Sequence, residues 1–275
     1  MNSDKMKDKI VIITGASSGI GKACAIAFAD AGCKVVLAAR DVEKLKELEL
    51  LLTNKGKEVL TIITDVTKED DCKRLIEETI KRFDRIDVLI TNAGVSMRAV
   101  FNEVDLNVFK QLMDVNFWGM VYCTKHALPY LLESKGSVVG LSSIAGKKGL
   151  PGRTGYSASK FAIEGFLESL RIENLENDLH VLVACPGYTD SNIRYNSLLK
   201  DGKPQGESPL EENKLMKPEE VAHEILIAVI HRKRDLILTS NGKLVVFLNK
   251  FFPSFMDKKV LQFVKKEGGL IFKKN

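Results

Sequence analysis

Two side chains carry the strongest chemical signal in this sequence. Tyr156 and Lys160 stand four apart in Tyr156-Ser157-Ala158-Ser159-Lys160, so on a helix they share one face. A free tyrosine has a pKa near ~10 and is a poor base at neutral pH. A neighbouring ammonium stabilises the phenolate and lowers that value, and such a tyrosine can pass a proton to or from a carbinol oxygen. Thirteen residues upstream, just past an apolar run, lies Ser143 in Leu141-Ser142-Ser143-Ile144-Ala145-Gly146. Its hydroxyl could steady charge on the same oxygen. A lone Y-x-x-x-K is common by chance. The upstream serine and a glycine-rich turn near the N-terminus give it meaning.

That turn reads Thr14-Gly15-Ala16-Ser17-Ser18-Gly19-Ile20-Gly21. It follows an apolar run and opens a helical pattern. Glycines there allow a tight turn and let the backbone approach a pyrophosphate at the helix N-terminus. The spacing is G-x-x-x-G-x-G, and Gly15, Ser17, Ser18, Gly19, Ile20 and Gly21 are its candidate cofactor contacts. The residue that reads the ribose should follow the second strand, where an acid suits NAD(H) and an arginine suits the 2′-phosphate of NADP(H). The chain reads Leu37-Ala38-Ala39-Arg40-Asp41. The strand ends without an acid, and Arg40 can grip phosphate with its planar fork. This predicts NADP(H) in preference to NAD(H). In the alternative, Arg40 is a solvated loop residue and Asp41 only caps the next helix.

The elements that must position these residues follow from the apolar pattern. Short Val-, Ile- and Leu-rich runs at Ile10–Thr14, Val35–Ala39, Val59–Thr64, Val88–Thr91, Val138–Ser142, Val181–Ala184 and Leu236–Thr239 are mostly unbroken. That marks strands covered on both faces, as in a parallel sheet. Helical patterns lie between them at Ile20–Ala31, Val42–Leu52, Lys68–Phe83, Asp105–Leu132, Tyr156–Asn177 and Pro218–Arg232. Gly32, Gly56 and Gly136 stand where helices should end. Repeated strand–helix–strand units predict a doubly wound α/β sheet with helices on both faces, in a single domain spanning 1–275. Residues 187–217 break the rhythm with a polar, Gly- and Pro-containing stretch after a strand end, which predicts a substrate lid.

Composition excludes several classes. Hydrophobic residues make up 45% and charged residues 28% of 275, an ordinary globular balance. No apolar run approaches the ~18 residues that a membrane span requires. Net charge is +5, yet residues 243–275 hold eight lysines and two acids, so the body is close to neutral and the tail is basic. A neutral body argues against nucleic acid as a partner. The apolar, lysine-rich tail at 241–275 either meets an anionic bilayer interface or closes over the substrate pocket or a neighbouring subunit. Four scattered histidines offer no metal-ligand spacing. Five widely spaced cysteines without C-x-x-C read as small buried side chains in a reducing compartment, and the charged N-terminus lacks the apolar core of a signal peptide. Both point to the cytoplasm.

With these motifs assembled, the chain resembles the short-chain dehydrogenase/reductase family over about residues 7–240. The matching segments are TGASSGIG, Asp65-Val66, Asn92-Ala93-Gly94, Asn116, SSIAG, YSASK and Pro186-Gly187. The resemblance implies a Rossmann domain with seven parallel strands and NAD(P)-dependent chemistry at a carbonyl or secondary alcohol. It implies that Asp65 and Val66 contact adenine and that Asn92, Ala93 and Gly94 help hold the cofactor. Asn116 would hold Lys160 and a relay water, and Thr189, after Pro186 and Gly187, would touch the nicotinamide amide. Asn116, Ser143, Tyr156 and Lys160 form the implied catalytic set. Ser18 stands where the family's NADP-binding members often carry a basic residue, so Arg40 acts alone. The branch it most resembles acts on lipophilic carbonyl compounds and forms homodimers or homotetramers through the helices read at Asp105–Leu132 and Tyr156–Asn177. A noncatalytic NADP(H)-binding regulator or scaffold of the same fold is the competing reading.

Overall fold

Seven strands alternate with helices along the chain, and a computed structural model describes residues 5–206 and 215–266. In order they are β1 (Ile10–Thr14), α1 (Gly19–Asp30), β2 (Lys34–Ala39), α2 (Val42–Thr53), β3 (Val59–Ile63), α3 (Glu69–Phe83), β4 (Val88–Thr91), α4 (Leu106–Leu112), α5 (Gly119–Glu133), β5 (Ser137–Leu141), α6 (Thr154–Glu173), β6 (His180–Cys185), α7 (Pro218–Ile230), β7 (Asp235–Ile237), α8 (Ser240–Phe251) and α9 (Pro253–Lys266). The strands form one sheet in the order β3-β2-β1-β4-β5-β6-β7. Every pairing is parallel. The fold is therefore the doubly wound α/β sheet that the apolar runs predict.

The unbroken runs are explained by burial on both faces. All five residues of β1 and of β5, all four of β4 and all six of β6 are buried. On one face Phe28 of α1, Leu45 and Leu48 of α2, and Val221 and Ile225 of α7 meet β1 and β2. On the other, Leu75 of α3, Met120 and Ala127 of α5, and Ile163 and Leu167 of α6 meet the opposite side chains of the same strands. Two cores thus clamp the sheet from both sides. The strand order reverses between β1 and β4. Their C-terminal ends feed loops that part from each other, and ligands of open α/β sheets bind at such a switch point.

Two details depart from the sequence reading. The helix read at Asp105–Leu132 is interrupted by a π-helical turn at Met113–Trp118, between α4 and α5. π-Turns cluster at functional sites because the extra residue re-aims side chains, and this one carries the buried Asn116. Gly32 and Gly56 do adopt the left-handed conformation, but after α5 it is Lys135, at φ 50°, that turns the chain. Gly136 is needed for room instead: a Cβ there would lie 2.5 Å from the Asp87 carbonyl oxygen. The tail forms two helices broken at Phe252–Pro253, since proline cannot continue a helix. Residues 207–214 of the predicted lid and 267–275 of the tail lie outside the described residues.

Candidate active site

A cavity of about 1530 Å³ opens along the C-terminal ends of the strands. Of the residues singled out from sequence, Gly15, Ser17, Ser18, Gly19, Ile20, Arg40, Asp65, Val66, Asn92, Ala93, Gly94, Ser143, Tyr156, Lys160, Pro186, Gly187 and Thr189 all line it. Gly21 and Asn116 stand behind the wall.

One end of the cavity is built from backbone. Gly15 and Gly19 take positive φ of 66° and 51°, which lets β1 turn sharply into α1. A Cβ on Gly21 would strike the Gly15 carbonyl, so only glycine allows α1 to start this close to the strand. The Ser18 side chain makes no capping hydrogen bond. The first N–H groups of α1 therefore face the cavity unsatisfied by side chains, where the helix dipole favours an anion. Thr14 ties this turn to the next loop: its hydroxyl accepts from the Asn92 and Ala93 N–H groups at 3.0 and 3.1 Å. The Asn92 amide donates back to the Thr14 and Gly15 carbonyls at 3.0 and 3.3 Å. Gly94 packs close to Asn116 Oδ1, at 3.2 Å from where its Cβ would be. These features fit a dinucleotide, with the diphosphate at α1.

Past β2, Arg40 and Asp41 have separate jobs. Asp41 accepts a hydrogen bond from the Lys44 N–H at 3.2 Å, capping α2, and pairs with the Lys44 ammonium at 2.8 Å. It is a helix cap, as the alternative reading had it. Arg40 is exposed at the cavity mouth near Asp65, and its charge helps hold that carboxyl below its usual range. Burial pushes Asp65 upward, but two hydrogen bonds from Thr67 and the nearby charges outweigh it.

The other end gathers the proton-handling groups. The first turns of α6 bring Tyr156 and Lys160 to one face, both buried at 8% and 4% exposure. Lys160 Nζ lies 5.6 Å from the Tyr156 ring centroid and donates to the Leu141 carbonyl at 2.7 Å. Ser143, just beyond β5, hydrogen-bonds the Tyr156 hydroxyl. Its own Oγ accepts from the Ala145 N–H at 3.2 Å, which fixes the serine. Burial lowers the Lys160 pKa to about 8. Burial also raises Tyr156 above its ordinary value, against smaller downward pulls from the Ser143 hydrogen bond and the Arg153 charge. This corrects the sequence expectation of a tyrosine lowered by its lysine: desolvation acts on both groups and is the larger effect.

The Asn116 side chain is fully engaged. Its Oδ1 accepts from the Val95 N–H at 2.8 Å, and its amide donates to the Val95 carbonyl and to Ser159 Oγ, each at 2.9 Å. With its polar atoms so engaged, it fastens the loop after β4 to α6 rather than bonding Lys160 directly. Thr189 is buried, and its hydroxyl donates to the Gly187 carbonyl at 3.0 Å. Sequence reasoning missed Arg153 and Arg194, which also line the cavity. Nothing in their spacing marks them, because their elements meet only in the fold.

A phosphate-cradling turn at a doubly wound switch point, opening onto a buried Ser–Tyr–Lys cluster, defines a nicotinamide-dependent oxidoreductase. Comparison with known proteins agrees. The family model described as short chain dehydrogenase matches residues 9–201. The dehydrogenase/reductase SDR family protein 7-like of Dictyostelium discoideum is 35% identical over 260 residues, covering 91% of this chain and 80% of that protein. The 11-beta-hydroxysteroid dehydrogenase 1A of Arabidopsis thaliana is 41% identical over 193 residues. That match covers 70% of this chain and 55% of the plant protein, so the chain spans little over half of that relative. Among solved structures, an alcohol dehydrogenase from the archaeon Thermococcus sibiricus, complexed with 5-hydroxy-NADP, superposes with a TM-score of 0.73 at 27% identity, covering 84% of this chain and 96% of that one. The chain belongs to the short-chain dehydrogenase/reductase family. It is an oxidoreductase acting on CH–OH and C=O groups with a nicotinamide cofactor.

Proposed function

We propose that the protein is an NADP(H)-dependent oxidoreductase that interconverts a lipophilic ketone and its secondary alcohol. The observation that carries this reading is the joint burial of Tyr156, Ser143 and Lys160 at one end of a cavity whose other end is a phosphate cradle. The nicotinamide supplies hydride in reduction and takes it in oxidation. Tyr156 hands its hydroxyl proton to the carbonyl oxygen, or receives it in reverse. Ser143 donates to the same oxygen as charge develops there. Lys160 holds a positive charge beside the phenol and orients the nicotinamide ribose. Asn116 and the Val95 backbone hold the loop after β4 in place, and Asn92, Ala93 and Gly94 flank the cofactor. Asp65 and Val66 face the adenine, Thr189 the nicotinamide amide, and Arg40 takes the 2′-phosphate.

The lipophilic character is supported by Val245, Met256, Val260 and Phe263, which the tail contributes to the cavity wall. The tail's packing leaves room for both of its roles. Its inner face packs, with Met256, Val260 and Val264 against Leu150, Val245 and Leu248. Its outer face exposes Leu244, Phe247, Phe251, Phe252 and Phe255, with Lys243, Lys250, Lys258 and Lys259 among them. That face supports peripheral contact with anionic lipid. Among the described residues, no helix is long and apolar enough to cross a membrane. The segment after β6 serves as a lid. Trp118, at 43% exposure before α5, and Phe161, at 48% on α6, support pairing of identical chains into a homodimer or homotetramer. Five buried free cysteines suit a reducing cytoplasm.

The test is NADPH consumption over a panel of alkyl ketones and steroids, repeated with NADH and with Tyr156→Phe. Turnover in the wild type should fall by roughly 10²–10⁴ in the variant, while NADPH still binds. Equal turnover in a folded Tyr156→Phe chain would remove the proposed chemistry.

A further inference from the structure

The two ends of the cavity differ in charge. At the adenine end, Asp41 and Asp65 accompany Arg40 and Lys44. From Asn92 onward the described lining residues include no acid, whereas Arg153, Lys160, Arg194 and Lys259 all reach the cavity. Lys160 is engaged by the Leu141 carbonyl. Arg153 lies over the Tyr188 ring at 5.8 Å. Arg194 is different. It is 8% exposed, and its Nε, Nη1 and Nη2 find no hydrogen-bond partner among the described residues. Its ion pair with the exposed Asp190 is long, at 3.6 Å.

The backbone around this arginine is held. The Ser197 N–H donates to the Arg194 carbonyl at 3.1 Å, and Ser197 Oγ donates to the Ile193 carbonyl at 2.9 Å. One residue on, the Leu198 N–H donates to the Ser96 carbonyl at 2.8 Å, and the Leu198 carbonyl accepts from the Arg98 N–H at 2.8 Å. Leu198 packs with Met97, Ala145 and Tyr156 in one apolar cluster. Arg194 thus hangs from a fixed turn, between Ser191, which approaches Gly19, and Leu198, which packs with Tyr156. Beyond that long pair with Asp190, this buried guanidinium finds no acceptor among the described residues, an arrangement that destabilises a fold and calls for a ligand or a function.

We propose that Arg194 anchors an anion subsite, so that the substrate is an amphiphile: an apolar chain bearing a carboxylate or phosphate. This rests on the carbonyl chemistry proposed at Tyr156 and narrows it. A guanidinium fork matches either anion in bidentate fashion. Leu150, Val245, Met256, Val260 and Phe263 line the same cavity and suit the chain. The same chemistry could come from the cofactor's diphosphate, because Ser191, three residues before Arg194, approaches Gly19 to 3.1 Å from where a Cβ would be.

Calorimetry separates these sources. Decyl phosphate, decanoate and decanol are titrated, below their micellar concentrations, into enzyme saturated with NADP+. The two anions should bind roughly ten- to a hundredfold more tightly than decanol. Arg194→Met should lose that preference while decanol and NADP+ affinities hold, and Arg194→Lys should keep part of it. Because Arg194→Met removes an uncompensated buried charge, its ligand-free melting temperature should equal or exceed that of the wild type, whereas a purely structural arginine would leave it lower. Equal binding of all three probes by the wild type would overturn the proposal. So would a loss of NADP+ affinity in Arg194→Met, which would assign the residue to the diphosphate. If the anion preference stands while no carbonyl compound is turned over, the subsite survives and the carbonyl reading fails.

Discussion

Replacing Lys160 with methionine should change how stability responds to pH. The ammonium is buried, donates to the Leu141 carbonyl at 2.7 Å, and has its pKa lowered from 10.5 to about 8, chiefly by burial, against upward pulls from Cys185 and Glu164. Below pH 8 the group is charged in both folded and unfolded chains, and the folded chain bears the full desolvation. Between pH 8 and 10.5 the folded chain releases its proton while the unfolded chain keeps it, so stability climbs with pH at up to about 1.4 kcal/mol per unit. From pH 7 to pH 10 the gain comes to roughly 2–3 kcal/mol. Lys160→Met has no such gain. For a chain of this size, the difference in melting temperature between wild type and variant should move by roughly 4–12 °C in favour of the wild type over that range. Cys24 and Cys33, whose thiols burial pushes up to about 12, weaken both proteins above pH 9 and cancel in the comparison. Thermal melts by circular dichroism at each pH read the effect. Parallel curves for the two proteins would refute a buried, charged Lys160.

Arg40→Ala should bind NADPH about ten- to a hundredfold more weakly, as loss of charge-assisted hydrogen bonds predicts, and leave NADH affinity nearly unchanged; fluorescence titration with both cofactors checks it. Gly21→Ala drives a methyl group against the Gly15 carbonyl, so the folded chain should lose about 1–3 kcal/mol and most of its cofactor affinity; a denaturant melt with normal stability would show the turn to be adaptable. Phe251→Asp combined with Phe255→Asp should abolish flotation with anionic vesicles at low salt without lowering the melting temperature, since both rings are exposed; undiminished flotation would move the lipid contact elsewhere. Alcohol oxidation should rise with pH into the alkaline range, because burial holds Tyr156 protonated at neutrality, while ketone reduction should stay level until Lys160 begins to discharge near pH 8; matching profiles in the two directions would contradict the electrostatics.

The parts of this molecule legible in the sequence are those set by local chemistry. The β1 run Ile10–Thr14 and the glycines after it announce both strand and cradle, because burial on two faces leaves no polar alternation and the tight approach of α1 leaves no room for a side chain. Tyr156 and Lys160 are legible because four-residue spacing on a helix fixes their shared face. What escaped were consequences of tertiary packing. The π-turn around Asn116 has no periodic signature. Arg194 acquires its environment only when the segment after β6 meets the loop after β4.

Burial sets the protonation of the site's paired residues. Desolvation favours the neutral form of every group it touches, and here it moves the paired residues oppositely, Tyr156 up and Lys160 down. A tyrosine above its ordinary value is protonated across neutral pH, which makes it a fully loaded proton donor and a poor base. The Ser143 hydrogen bond and the Arg153 charge pull it back only in part, keeping the hydroxyl oriented without stripping its proton. Lys160 titrates near pH 8 and so still carries most of its charge at neutrality. A donor loaded with its proton beside a charged ammonium is the arrangement a forming alkoxide needs. The electrostatics thus holds Tyr156 ready to donate its proton at neutral pH, and any role as base calls for alkaline conditions or a closer cation.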